Sequence, residues 1–439
     1  VHKYRRLSKD TKSNFGRTHW MLLIVLMAFG YLANGSAYDA LNTYVYLFHK
    51  QFGWSTSKLL TYSTYAGWAS IIFIVFFTQL ARKIGARKCA IIVLSIEAIS
   101  MFCWGRITSQ KMYFIVIMML VASAGAIMVI RNTIVNNWFP TKPGLSLGWV
   151  TLGTKFATAS ILWLIALGGT LFGFHGNFDI IAAGFVVLLI IALIWLRDNP
   201  EEKGCFPDND RTISAEYAEK LHEEGMRYQK TSPWTVGKLL KTKQVWQIGI
   251  GVGGLNLFIA SSLVSQMVPA VMTHGFDRSE AMLMMTAMAV ISMPFSYICG
   301  VIDARIGTKP FLIIFFSWAV ILLIFMAMPG RLTAYVSIVM MGIYTGGAGN
   351  TLGAITTTVF GRYDYASAYA VIYPMSITLR SCAFAFIGIV SEMTGGYSVP
   401  YLILAGVAVF GVINAVTLDD HMIGRSNMPN ENESGNQNE

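Results

Sequence analysis

Long apolar runs, each bounded by a few charged or turn-forming residues, recur from one end of the chain to the other. Crossing the hydrocarbon core of a bilayer takes about 20 apolar helical residues. Stretches of roughly that length occur about twelve times, at residues 19–48, 58–80, 88–105, 112–139, 145–173, 178–196, 245–273, 281–302, 311–328, 332–360, 366–393 and 399–418. The pattern predicts an all-α membrane protein with about twelve transmembrane helices. A single long polar interruption, residues 197–243, splits these spans into two halves of six, residues 19–196 and 244–418.

Composition strengthens the membrane reading. Mean hydropathy is +0.54, and 13% of residues are charged, against about 25% in soluble domains. The net charge of +10 also has a membrane explanation. Lys3, Arg5, Arg6, Lys9, Lys12 and Arg17 precede the first run, which is too long for a signal-peptide core and has no small-residue cleavage site. Residues 1–18 are therefore expected to stay inside. From that start, about 24 of the 33 Lys and Arg fall on the cytoplasmic side, about 6 outside and 3 within spans. The protein is thus expected in the cell membrane, multi-pass, with both termini cytoplasmic and the bilayer as its surroundings. The basic charge calls for no nucleic acid.

The interruption at 197–243 is expected to be a cytoplasmic linker, with breakers at Asn199, Pro200, Pro207, Asp208, Asn209 and Asp210. Residues 214–230 read as a solvated helix of interleaved Glu and Lys, and Ser232-Pro233 as the cap of a second short basic helix. The tail, 419–439, is rich in Asn, Glu and Ser and is expected to be disordered and cytoplasmic. An internal repeat supports the two halves: Ala81-Arg82-Lys83-Ile84-Gly85-Ala86-Arg87-Lys88 follows the second span, and Asp303-Ala304-Arg305-Ile306-Gly307-Thr308-Lys309 follows the eighth.

Charge inside the spans is where chemistry enters. Arg131, Lys155 and Arg380 lie within apolar stretches, and Asp39 and Glu97 are the only comparable acids. A cation at that depth is costly unless it faces a bundle interior, a water-filled cavity or a partner. Three cations against two acids leave the interior net positive, which suits an anion. At about 1.5 Å per residue, Arg380 falls near the bilayer centre, with Lys155 and Arg131 roughly 5 and 9 Å toward the cytoplasm. Other roles stay open: Arg131 as a structural partner of Asp39 or Glu97 or snorkelling to the interface, Lys155 on a carbonyl, Asp39 as proton carrier or ion pair, and Glu97 in structural pairing. Tyr38, Asn256, Gln266, Tyr344, Asn350, Tyr373 and Ser376 are candidates to complete a pocket, although intramembrane polar residues commonly bond neighbouring helices. Glycines at 251, 253, 254, 346, 347, 349 and 353 suit close helix packing. The sequence has no Walker A loop, no H-E-x-x-H and no Cys/His cluster, so neither an ATP-driven pump nor an intramembrane hydrolase is expected, and no cofactor.

The repeated loops resemble the motif G-x-x-x-D-[RK]-x-G-x-[RK] of the major facilitator superfamily. The second copy matches at Gly300, Arg305, Gly307 and Lys309, with its acid displaced to Asp303. The first keeps Lys83, Gly85, Arg87 and Lys88 but has Thr78 for the leading Gly and Arg82 for the Asp. The resemblance, which covers nearly the whole chain, implies a gating role for these loops at the cytoplasmic helix ends. It also implies a central cavity lined by spans one, four, seven and ten and flanked by two, five, eight and eleven.

A narrower resemblance lies at Asn137-Trp138-Phe139-Pro140-Thr141-Lys142-Pro143-Gly144-Leu145, at Leu240-Lys241-Thr242-Lys243-Gln244-Val245-Trp246 and at Asn34-Gly35-Ser36. These stretches are similar to junctions of the oxalate/formate antiporter-like and monocarboxylate transporter-like families. The two cations with which the oxalate carriers clamp a dicarboxylate fall here on Ser296 and Ser376. Arg380, one turn beyond Ser376, stands as a displaced substitute. The resemblance implies a secondary transporter of small organic anions, with substrate contacts at Arg131, Lys155, Arg380, Tyr373, Ser376, Tyr344 and Asn350 and with Asp39 and Glu97 as proton-coupling candidates. Proton symport and anion exchange remain open, as do an exporter of amphipathic compounds and, from another class, a non-transporting membrane sensor.

Overall fold

The computed structural model describes residues 15–209 and 215–424. The basic residues Lys3 to Lys12, positions 210–214 and residues 425–439 of the expected disordered tail lie outside the described residues; the tail's start is ordered, the Ile423 and Gly424 amides donating to the Val359 carbonyl at 2.8 and 3.2 Å. Every regular element among the described residues is helical, as a lipid solvent requires, because a helix satisfies its own backbone groups. In the N-terminal half, α1 (Arg17–Asn34) passes through a π-helical turn (Gly35–Asp39) into α2 (Leu41–Phe52), followed by α3 (Thr56–Ile84), α4 (Ala86–Trp104), α5 (Gln110–Trp138) and α6 (Pro143–Ile194). The linker carries α7 (Ala215–Thr231) and α8 (Val236–Lys241). The C-terminal half contains α9 (Lys243–Trp246), a second π-helical stretch (Gln247–Gly254), α10 (Leu255–Ser265), α11 (Met267–Met272), α12 (Arg278–Ile306), α13 (Thr308–Ala327), α14 (Arg331–Ala348), α15 (Thr351–Ser381), α16 (Ala383–Thr394) and α17 (Ser398–Thr417).

Nine helical stretches among the described residues are long and apolar enough to cross a membrane. Their outer faces carry large apolar side chains that are more than two-thirds exposed, among them Leu332, Trp163, Ile72 and Leu283. A water-soluble surface does not tolerate that much contiguous apolar area; this is a multi-pass membrane protein. The longest helices are broken at glycine, α6 at Gly173 (φ 70°, ψ −171°) and α15 at Gly361 (φ 65°, ψ −173°).

Helix starts follow local chemistry. Ser109 accepts from the Met112 amide at 3.2 Å, Asp277 and Glu280 form a reciprocal capping box, and Pro143 opens α6. For α8 the expected Ser232-Pro233 cap is corrected to Thr235, whose hydroxyl accepts from the Lys238 amide. Ser232 instead donates to Asp364 at 2.6 Å.

The repeated loops share one backbone geometry. Gly85 has φ 95°, ψ 153° and Gly307 has φ 92°, ψ 156°, a region an L side chain rarely enters. Their acids differ. In the C-terminal half, Asp303 lies against Gly144 at the start of α6, where a Cβ would collide with its carboxylate. In the N-terminal half the acid missing at Arg82 is supplied by Asp198 from beyond α6, which accepts from the Arg87 amide at 2.5 Å. Arg87 in turn donates through its guanidinium to the Ala192 and Leu193 carbonyls at the end of α6. Lys83 and Arg305 are exposed at these loops.

The linker is not only solvated, as its charge pattern predicts; it docks on both halves. His19 bonds to the Phe206 carbonyl at 2.9 Å, Trp138 donates to Arg197 O at 3.2 Å, and the Thr141 amide donates to Asp208 at 3.0 Å. On the other half, Arg362 makes two 2.8 Å hydrogen bonds to Glu201. Tyr228 donates to Asp364 at 3.0 Å and Gln229 to the Tyr363 carbonyl at 3.3 Å.

Candidate functional site

The π-helical turn in α1 builds the first wall. Its wider winding bonds the Ala40 amide to the Gly35 carbonyl at 2.9 Å and brings side chains five apart together, so Asn34 donates to Asp39 at 2.9 Å. Thr158 of α6 donates to the same Asp39 oxygen at 3.1 Å. Lys155, one turn earlier on α6, lies within electrostatic reach of Asp39. From the other half, α15 brings Arg380, whose Nε donates to Ser261 of α10 at 3.1 Å. Its guanidinium carbon sits 5.1 Å from the centroid of the Tyr38 ring, and it too acts on Asp39. Asp39, Lys155 and Arg380 are all partly exposed. No ion pair within salt-bridge distance joins Asp39 to either cation among the described residues.

Below Arg380, α15 presents stacked phenols. Tyr373 lies 5.5 Å from Tyr369, and Tyr369 lies 4.9 Å from Tyr365, with nearly parallel rings. The Tyr369 hydroxyl accepts from Asn132 at 2.9 Å, which ties α15 to α5. Arg131, 3% exposed, donates to Asn132 Oδ1 at 3.3 and 3.4 Å. It lies in electrostatic reach of all three tyrosines. Lys155 and Arg380 thus share the Asp39 carboxylate, and Arg131 is linked to Arg380 through Tyr373, on which both act.

Glu97 stands apart. It is fully buried, with the Ser123 hydroxyl of α5 beside its carboxylate, and it acts on Tyr38 and Tyr44 rather than on a cation. Arg131 thus pairs with neither Asp39 nor Glu97. Five expected pocket residues, Asn256, Gln266, Tyr344, Asn350 and Ser376, are bonded elsewhere in this conformation. Tyr344 is buried in the C-terminal core, donating to Asn256 at 2.9 Å and stacking on Phe315 at 4.7 Å. Ser376 donates to the Gly249 carbonyl at 2.7 Å, knitting α15 to the second π-helical stretch. Asn350 accepts from Thr151 of the N-terminal half at 2.7 Å and donates to the Ser296 carbonyl at 2.9 Å. Gln266 accepts from Tyr397 at 3.1 Å. The residues that sequence reasoning missed are Thr158, Ser261, Asn132, Tyr365 and Tyr369. For the tyrosines a signal existed, since Tyr365, Tyr369 and Tyr373 recur every four residues on one face with Arg380.

The described cross-bonds between the halves cluster at the linker end. Besides Asn132–Tyr369 and Thr151–Asn350, Ser296 donates to the Gly148 carbonyl at 2.9 Å and Asn136 to the Arg362 carbonyl at 3.1 Å. Gly300 lets α12 close on Gly144, where a Cβ would lie 2.4 Å from the carbonyl oxygen.

A sequence model described as Major Facilitator Superfamily matches residues 27–379. The chain belongs to the major facilitator superfamily. Membership marks a transporter rather than an enzyme, and secondary transport as its activity. Among solved structures of the superfamily, the proton:xylose symporter XylE bound to 6-bromo-6-deoxy-D-glucose aligns with a TM-score of 0.76 at 13% identity, over 93% of this chain and 98% of that one. The E. coli fucose:proton symporter FucP gives 0.68 at 14% identity, over 92% and 100%. The human organic anion transporter MFSD10 gives 0.68 at 12%, over 91% and 99%. Such identities show the fold alone. No curated protein matches the sequence.

Proposed function

We propose that this superfamily member carries small organic anions, carboxylates in particular, by alternating access of its two halves. The observation that carries the reading is a positive balance: Arg380, Lys155 and Arg131 against Asp39, with Glu97 in no ion pair with any of the three among the described residues. Unpaired cations in a low-dielectric site are costly until an anion arrives. The resemblance at residues 137–145 and 240–246 to carboxylate carriers supports the same class.

Arg380 is the primary contact, because a planar guanidinium holds a carboxylate through two parallel hydrogen bonds, and Lys155 adds a mobile point charge. The organic body is placed against Tyr373, the member of the tyrosine stack nearest Arg380 along α15. The linker end, taken as cytoplasmic, is bonded shut, so an anion approaches from the opposite end. Once bound, it offsets the repulsion between Arg380 and the cations of the other half and makes closure substrate-dependent. Asp39 competes with the anion for Lys155 and Arg380, so a proton on Asp39 and an anion in the site favour each other, which supports proton symport.

Ser296 and Ser376 leave no opposed cation pair for a short dianion, so monocarboxylates are preferred over oxalate. A thermal-shift screen of mono-, di- and aromatic carboxylates on the purified protein tests this. A ligand at 100 times its Kd stabilises by about 2.7 kcal/mol. Benzoate is expected to shift the melting temperature more than oxalate. Stabilisation by xylose or fucose and by no carboxylate would overturn the reading.

A further inference from the structure

We infer that the path holds a second, inner anion site, formed by Arg131 and Tyr365 between α5 and α15, which receives the carboxylate after Arg380 and before release at the linker end. This rests on the carboxylate reading above and adds a separate station to it. The polar face of α15 is continuous: Arg362, Tyr365, Tyr369, Tyr373 and Arg380 keep to one stripe of the helix. From Arg362 to Arg380 the stripe rises about 27 Å, most of the hydrocarbon thickness.

Near its Arg362 end, and across from it on α5, lie two buried polar groups. Arg131 Nη1 makes no hydrogen bond among the described residues, and the Tyr365 hydroxyl has only the neighbouring Tyr369 hydroxyl beside it. The guanidinium reaches past α1 only because residue 30 is glycine, where a Cβ would stand 2.6 Å from Nη1. A buried donor left unmade costs the full desolvation of the group, more for a charged one. Arg362, equally buried on the same stripe, has its charge met by the Glu201 carboxylate, a counter-ion that Arg131 lacks. Arg131 and Tyr365 lie within electrostatic reach of each other, and a guanidinium with a phenol beside it suits a carboxylate. The Asn132–Tyr369 bond closes this station in the present state. Parting of α5 from α15 at the linker end would break that bond and admit the anion from the Arg380 side.

The test uses the full chain, with radiolabelled benzoate as the probe, comparing equilibrium binding in detergent with benzoate counterflow in proteoliposomes. Arg131→Gln and Tyr365→Phe are expected to bind benzoate within about threefold of wild type yet exchange it at least tenfold more slowly. Arg131→Lys, which keeps the charge, should recover part of the exchange. Arg380→Gln should lose binding itself. If Arg131→Gln loses binding as completely as Arg380→Gln, there is one site and the inner station is overturned. Wild-type counterflow in both Arg131→Gln and Tyr365→Phe overturns it too. Tyr365→Phe removes one oxygen and guards against an Arg131 variant that fails to fold. Absence of benzoate binding by wild type is a distinct failure, that of the carboxylate reading.

Discussion

Arg362 and Arg380 lie on the same face of α15, yet they have opposite environments. Arg362 is buried, with both terminal nitrogens on Glu201 at 2.8 Å and its carbonyl on Asn136. Arg380 is half-exposed and holds only the Ser261 hydroxyl and the face of Tyr38. A guanidinium whose charge is already met is part of the frame, because any ligand would have to displace a bidentate partner. Arg380 has the Asp39 carboxylate only within electrostatic reach and no ion pair at salt-bridge distance among the described residues. The location of charge in a span therefore says little about role until its partners are known.

The largest effect should come from breaking the satisfied member. Arg362→Gln leaves Glu201 without its partner and should cost about 3 kcal/mol of stability, read as a lower melting temperature. Glu201→Gln added to it should recover part of the loss. An unchanged melting temperature would show that the pair is idle and remove the contrast. Next, Arg380→Gln should reduce carboxylate uptake about 100-fold, the scale of losing a close charge partner, with the protein monodisperse and its melting temperature close to wild type. A collapse in stability without a change in uptake per folded molecule would invert the assignment.

Asp39→Asn sharpens the comparison at the Arg380 end by removing the acid that shares its cations. Accumulation driven by a pH gradient should fall about tenfold while anion counterflow persists, since exchange need not reset the carboxyl. Unchanged pH-driven uptake would remove Asp39 from coupling. The smallest effect concerns the linker, where burial pushes the Asp208 carboxyl up to about 6, against the pull of its hydrogen bonds to Thr141 and of nearby Lys142 and Arg362. The folded state then binds the proton more tightly than the unfolded chain, whose value is about 3.9. This contribution is most favourable below about pH 4, and it is lost as pH rises to about 6. Asp208→Asn, which cannot ionise, should gain in melting temperature over wild type at pH 7 and lose that advantage by pH 4. A gain that grows on acidification would contradict the sign.

Much of the fold was legible because hydropathy is a local property: the apolar runs, the polar break at 197–243 and the paired glycine turns at Gly85 and Gly307 need no distant partner to be read. The site was legible only in part. Arg131, Lys155, Arg380 and Asp39 stand out as charges in apolar sequence, and in the structure Lys155 and Arg380 lie in electrostatic reach of Asp39 while Arg131 lies beside the tyrosines of α15. Tyr344, Asn350 and Ser376 stand out for the same kind of reason, but their polar atoms are taken by Asn256, Thr151 and the Gly249 carbonyl. The charged linker helix read as solvated, yet Tyr228 and Gln229 dock on α15.

By itself, the sequence determined that the chain is an all-α membrane protein carrying one glycine-turn motif twice, with three cations in its apolar stretches. Each of those statements depends on composition over a window of residues or on a short repeated motif. Only the tertiary structure decided that Asp198 stands where the motif lacks its acid at Arg82, that Arg362 is bonded to Glu201 while Arg380 holds Ser261 and the face of Tyr38, and that Glu97 lies near Ser123 and Tyr44. A helix's rotation about its own axis, and the neighbour it meets across the bundle, are set by the packing of every span at once. A buried polar group's role follows from that partner, and no local stretch of sequence encodes it.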